Sequence, residues 1–253
     1  MLVLRDWRRL VWWPGLAFLL AFAVLELGQL DRPIALALFY HPGSGWIGAG
    51  TGDWWARDVL HQAGRWLPRG VAALALIGWI ASFGSGVLRP WRRELFYVLV
   101  GMAAVIVSVG LLKELTNVDC PWDLAGFGGT NPYVPLFGDR PDALKRAACF
   151  PGAHASSGFA LLAIYFALRG RAPGVARFAL WAGISVGVVF AFGQEARGAH
   201  FLSHDLTSAA IAWLLLAWLY SRLLYSKRIA PSEIQARERI REHAGREATE
   251  NIP

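Results

Sequence analysis

The sequence predicts an all-α, polytopic membrane protein whose core is a six-helix transmembrane bundle, and three observations carry that expectation. Of its 253 residues 55% are hydrophobic and 17% charged, with mean hydropathy +0.38, which is too apolar for an ordinary soluble domain. The apolar residues gather in runs near 11–30, 71–88, 95–112, 155–168, 178–193 and 206–221, several approaching the ~20 residues that cross a bilayer. Arginine collects in every second connection, the positive-inside pattern of a multi-pass protein. No run alternates as a strand would. Backbone groups in lipid must be satisfied within their own segment, so each run is expected to be a helix.

The first run follows Arg5, Arg8 and Arg9, which places its start on the cytoplasmic side. It begins like a signal peptide, but its length, Pro14, Glu26 and the lack of an A-x-A site predict a retained anchor. The outer segment 31–70 mixes turn residues with Trp46, Trp54, Trp55 and Trp66, the pattern of an amphipathic helix lying at the membrane interface. His61 falls within it and by itself reads as an interfacial residue. The second run ends at Arg89, Arg92 and Arg93 on the cytoplasmic side, and the third leads out to a mixed-charge loop over 113–153. Arg169, Arg171 and Arg177 join the fourth and fifth runs, and Arg222, Lys227 and Arg228 follow the sixth. Both termini are therefore expected in the cytoplasm and the mixed-sign loops on the periplasmic face of a bacterial cytoplasmic membrane. Residues 1–225 read as one membrane unit. Residues 226–253 form a charged, sign-mixed cytoplasmic tail without chemistry of its own. The net charge of +7 follows from this topology, and basic residues scattered among loops do not suit nucleic-acid binding.

Three stretches at the outer ends of these runs carry the chemistry: KELTNVDCPWD (113–123), CFPGAH (149–154) and QEARGAHFLSHD (194–205). Lys113 and Arg197 are cations suited to a phosphate, and His154 and His200 suit an acid and a nucleophile working near neutral pH. Each has a plainer reading. Lys113 alone is equally a snorkelling lysine, and HFLSHD alone is equally a polar helix start. Zinc needs three or four ligands, which His154, His200 and His204 with Asp205 or Cys120 would supply, but the lysine and arginine would repel a cation. No metal and no cofactor are expected. Cys120 and Cys149 share the outer loop, where disulfides persist, and a bridge between them would close about 30 residues for roughly 3 kcal/mol.

The three stretches resemble the signature of the type-2 phosphatidic acid phosphatase superfamily: K-x6-R-P, then P-S-G-H, then S-R-x5-H-x3-D, over about residues 95–222. The resemblance implies a metal-independent phosphatase with a six-helix membrane core and a phosphohistidine intermediate. Lys113 and Pro121 match, but Cys120 stands where the family has arginine, and Arg140, Lys145 or Arg146 are candidate replacements. Pro151 and His154 match, with Gly152 and Ala153 in place of serine and glycine. Backbone N–H groups of 152–155 are then expected to face the phosphate, and Ser156 or Ser157 to donate or to cap. His200 takes the nucleophile position and His154 that of the general acid. Gln194 stands at the family's arginine, with Arg197 one helical turn on. His204 holds the aspartate position and Asp205 follows it, so either is a candidate to orient His200.

The resemblance thus implies hydrolysis of a phosphomonoester or pyrophosphate on a lipid of the outer-facing leaflet. By family analogy the substrate is undecaprenyl pyrophosphate, phosphatidylglycerol phosphate, phosphatidic acid or a lipid A phosphate. A lipid phosphotransferase uses the same residues, and a non-catalytic binder or transporter of lipid phosphates is the alternative from outside enzymology.

Overall fold

The structure is a computed structural model that describes residues 8–50 and 52–225. A wide π turn at Arg8–Trp12 leads into α1 (Trp13–Leu27), with Pro14 in its first turn. Asp31–Leu38 forms α2, and Tyr40–His41 (β1) pairs antiparallel with Gly45–Trp46 (β2). A π-type helix, α3, spans Trp55–Ala63 and closes on an i-to-i+5 bond from Gly64 N–H to the Val59 carbonyl at 2.8 Å. Next come α4 (Trp66–Ala81), α5 (Arg92–Thr116), α6 (Ala153–Phe159), α7 (Leu162–Leu168), α8 (Pro173–Ala196) and α9 (Leu202–Tyr220).

Among the described residues four stretches are long and apolar enough to cross a bilayer: Arg9–Leu27, Arg89–Asp123, Pro173–Ala196 and Leu202–Tyr225. Their lipid-ready surfaces are visible in side chains such as Leu27 at 83% and Phe178 at 75% exposure, which water would not tolerate in such number. The second expected span is shorter in the structure, and the fourth is broken into two. α4 has 16 residues, and α6 and α7 are two segments of 7 residues each, separated at Ala160–Leu161 by tighter turns. The sixth span begins at Leu202 rather than near 206, which draws His204 and Asp205 into the first turn of α9. The expected tail at 226–253 lies outside the described residues.

The membrane core is built where α5, α6, α7, α8 and α9 meet, around Tyr97, Val105, Ala163, Phe166 and Leu216. The Tyr97 hydroxyl donates to the Leu216 carbonyl at 2.7 Å, satisfying a phenol that apolar surroundings would otherwise penalise. α6 crosses α8 with Gly158 against Gly187, a small-residue contact that lets two backbones approach. A second cluster caps the outer end: Phe39, Trp46, Leu124, Phe127, Ala196 and Phe201. There Trp46 stacks on Phe127 with centroids 5.3 Å apart and donates from Nε1 to the Phe127 carbonyl. Asp31, at the start of α2, accepts the Ser203 N–H at 3.0 Å and so caps α9. Burial raises the Asp31 carboxyl above the usual range, an effect its bonds to Ser203 only partly offset.

Candidate active site

The three stretches converge at the outer end of the core. Lys113, in the last turn of α5, donates from Nζ to the Pro151 carbonyl at 3.3 Å. Gly152 N–H donates to the His204 carbonyl at 3.2 Å, and Ser208 on α9 donates to the Gly152 carbonyl at 2.8 Å. Trp122 N–H, beyond the lysine, reaches the Gly198 carbonyl at 2.9 Å. Every stretch is therefore bonded to another through backbone groups, which side-chain variation leaves intact. Cys120 and Cys149 are joined as a disulfide with Cα atoms 5.1 Å apart, tying the first stretch to the second.

His200 lies in the connection between α8 and α9 and is 7% exposed. Burial, together with His204 and Lys113 nearby, holds its imidazole well below the usual histidine range, so it is neutral at pH 7. The Cys149 carbonyl faces both the His200 and His204 rings, whose centroids are 5.7 Å apart. Among the described residues Nδ1 of His200 has no hydrogen-bond partner, so neither His204 nor Asp205 plays the orienting part the sequence suggested for them. The group that faces the His200 ring is the Cys149 carbonyl, on a residue tied by its disulfide to Cys120.

Gly152 also differs from expectation. The N–H of Gly152 is engaged by His204, and a side chain at 152 would meet Asp205 Oδ1 at 1.8 Å. The Asp205 carboxylate thus lies close against the Gly152 backbone. Ala153 is the first residue of α6 and puts its carbonyl on the Ser156 hydroxyl at 2.7 Å. Ser157 likewise bonds back to the His154 carbonyl, so both serines serve the helix. Neither Asp205 oxygen has a hydrogen-bond partner among the described residues, though Lys113 lies within electrostatic range.

His154 stacks on Phe190 with centroids 4.2 Å apart, and its Nε2 donates to the Leu60 carbonyl on α3 at 2.9 Å. It lies within electrostatic range of His200. Arg197 follows the last residue of α8, half-buried, with its Nη1 donating to Gln194 Oε1 at 3.4 Å. The candidate replacement cations of the outer loop are engaged elsewhere. Arg140 forms a buried pair with Asp119 at 2.8 Å, Arg146 pairs with Glu114, and Lys145 is exposed. Sequence reasoning missed His61: its ring meets that of His154 edge-on at 4.7 Å, and Nδ1 receives the Gln194 amide at 2.8 Å. No local signal marks a contact between residues 133 positions apart.

A sequence model of the PAP2 superfamily matches residues 94–228, which contain all three stretches. The chain belongs to the PAP2 superfamily. Among solved structures it is similar to the first transmembrane PAP2 type phosphatidylglycerolphosphate phosphatase from Bacillus subtilis. The two are 16% identical, with 85% of this chain and 95% of the other covered at a TM-score of 0.47. No curated protein matches the chain. As a PAP2 member with membrane-crossing helices, it is a membrane protein of a phosphatase family.

Proposed function

We propose that the protein is an integral-membrane lipid phosphatase that hydrolyses a phosphomonoester or pyrophosphate of a lipid presented from the periplasmic leaflet. The observation that carries this reading is the bonding of Lys113, Pro151, Gly152 and His204 into one knot beside the neutral, buried His200. A lone pair of His200 attacks phosphorus, and the phosphorus–oxygen bond to the lipid breaks. His154 protonates the departing oxygen. Lys113 and Arg197 stabilise the charge on the equatorial oxygens, the main contribution a protein makes to phosphoryl transfer. Water then attacks the phosphoimidazole, releasing inorganic phosphate and regenerating His200. The two side-chain cations supply the charge that a metal ion would bring, and unchanged turnover in EDTA is the expected result.

A cavity of about 740 Å³ opens between α1 and α6–α9 and supports a lipid as the substrate class. Its walls are mostly apolar, with Phe18, Phe159, Val188 and Trp213, and Glu195 and Asp205 also line it. An aliphatic chain fits such a groove while its headgroup reaches the outer end of the bundle. In the full reading α4 and α6–α7 complete a six-span bundle, α3 lies at the interface, and both termini are cytoplasmic. The test is phosphate release from a panel of lipid phosphates by detergent-purified protein. His200→Ala is expected to lower kcat/KM by on the order of 10³-fold or more. Acid-labile phosphate should be trapped on wild type and absent from the variant. Equal turnover by the two proteins overturns the mechanism.

A further inference from the structure

Gln194 occupies the position of the family's arginine, and its two bonds fix its orientation. Oε1 accepts from Arg197, so the amide nitrogen is the end that lies 2.8 Å from Nδ1 of His61. An amide nitrogen only donates. Nδ1 of His61 is therefore the acceptor, and the neutral ring carries its proton on Nε2. That ring sits 4.7 Å from the His154 ring, while the preceding residue, Leu60, accepts the His154 Nε2 proton. One outer helix, α3, thus covers the general acid and brings a second imidazole to it. Arg65, between α3 and α4, and Arg197, just after α8, are the charged groups that face His61, with the His154 ring opposite. Burial first, then those two arginines, holds its pKa below the usual value. Asp58 bonds Arg57 and Gln62 on the exposed face of α3.

We propose that His61 is a phosphate ligand of this site: its Nε2–H, held in place by Gln194, donates to a phosphoryl oxygen of the substrate beside Arg197. The clamp that one arginine supplies elsewhere in the family is here divided between Arg197 and His61, with Gln194 joining them. Lys145, the remaining outer-loop candidate, is exposed, and Arg140 and Arg146 are paired with carboxylates. This inference rests on the phosphatase reading above.

The experiment compares wild type with His61→Ala, His61→Gln, Gln194→Leu and the double variant His61→Ala/Gln194→Arg. It measures phosphate release, inhibition by orthovanadate as a pentacoordinate phosphoryl mimic, and thermal unfolding. His61→Ala should lower kcat/KM about 10²-fold and raise the orthovanadate inhibition constant by a comparable factor, as for loss of one oxyanion donor. His61→Gln keeps a neutral donor and should recover most of that loss. Gln194→Leu should lower kcat/KM about 10-fold by freeing the ring, and the double variant should exceed His61→Ala about 10-fold because a guanidinium returns at the same place. If wild type is active and His61→Ala stays within about two-fold in both constants, the inference is overturned and the phosphatase reading stands. A lowered unfolding temperature with an unchanged orthovanadate constant makes His61 structural and also overturns it. An inactive wild type defeats the phosphatase reading, and the inference with it.

Discussion

Neutrality is the property of His200 that its surroundings control. Burial removes the water that would solvate an imidazolium, and Lys113 beside it adds repulsion, so its pKa is held well below the usual value. Protonation of His200 abolishes its lone pair, and activity should fall only once the pH drops beneath that lowered pKa. The acid limb of kcat/KM is thus expected below the ordinary histidine value of about 6.5. An acid limb at or above that value would contradict the environment described for His200. Stability runs in the same direction. The unfolded chain binds protons at His61 and His200 more readily than the folded one, so stability present above pH ~6.5 is lost as the pH falls toward the lower folded values. Unfolding temperatures in detergent, measured across that window, should fall more steeply toward acid, or rise less, in wild type than in His61→Gln.

The connection between α8 and α9 shows what a short element contributes. Gly198 has φ +75°, so α8 ends in a left-handed residue whose N–H returns to the Glu195 carbonyl at 2.9 Å. A side chain there would meet the Trp46 ring at 2.3 Å. Gly198→Ala therefore combines left-handed strain with a steric clash and is expected to cost about 2–4 kcal/mol, read as a fall in unfolding temperature. The indole would also be pushed from Phe127, so turnover should fall with stability. The 113–153 loop depends on its own tie. Replacing Cys120 and Cys149 by serine removes a constraint worth roughly 3 kcal/mol and loosens the Cys149 carbonyl that faces His200. Turnover should fall in the double serine variant, and in wild type after reduction, by a common factor. Full activity after reduction would separate the disulfide from the site.

At the scale of the molecule, the expectation is that residues 1–225 contain all the catalytic machinery. A chain ending at Tyr225 should release phosphate within about two-fold of the full chain, and a larger loss would assign the 226–253 segment a part in catalysis. Periodicity and charge made the helical membrane class legible because lipid imposes long apolar runs and internally bonded backbone on any sequence that crosses it. The motif resemblance pointed to Lys113, His154, Arg197 and His200, residues of separate elements that the fold gathers at one end of the bundle. Span lengths were less legible. The break at Ala160–Leu161 and the early start of α9 depend on Gly158 meeting Gly187 and on Asp31 capping Ser203, contacts between distant segments. The site's fine geometry was hidden for the same reason. Spacing suggested that His204 or Asp205 would orient His200, yet the carbonyl of Cys149 faces it, and Asp205 lies against Gly152. The sequence alone thus determined that this is a helical membrane chain bearing lysine, arginine and two histidines at one end, because local pattern and solvent dictate those features. Only the tertiary structure decided which groups hold them, joining His61 to Gln194 across 133 positions, because hydrogen bonds between buried groups follow from packing and not from spacing along the chain.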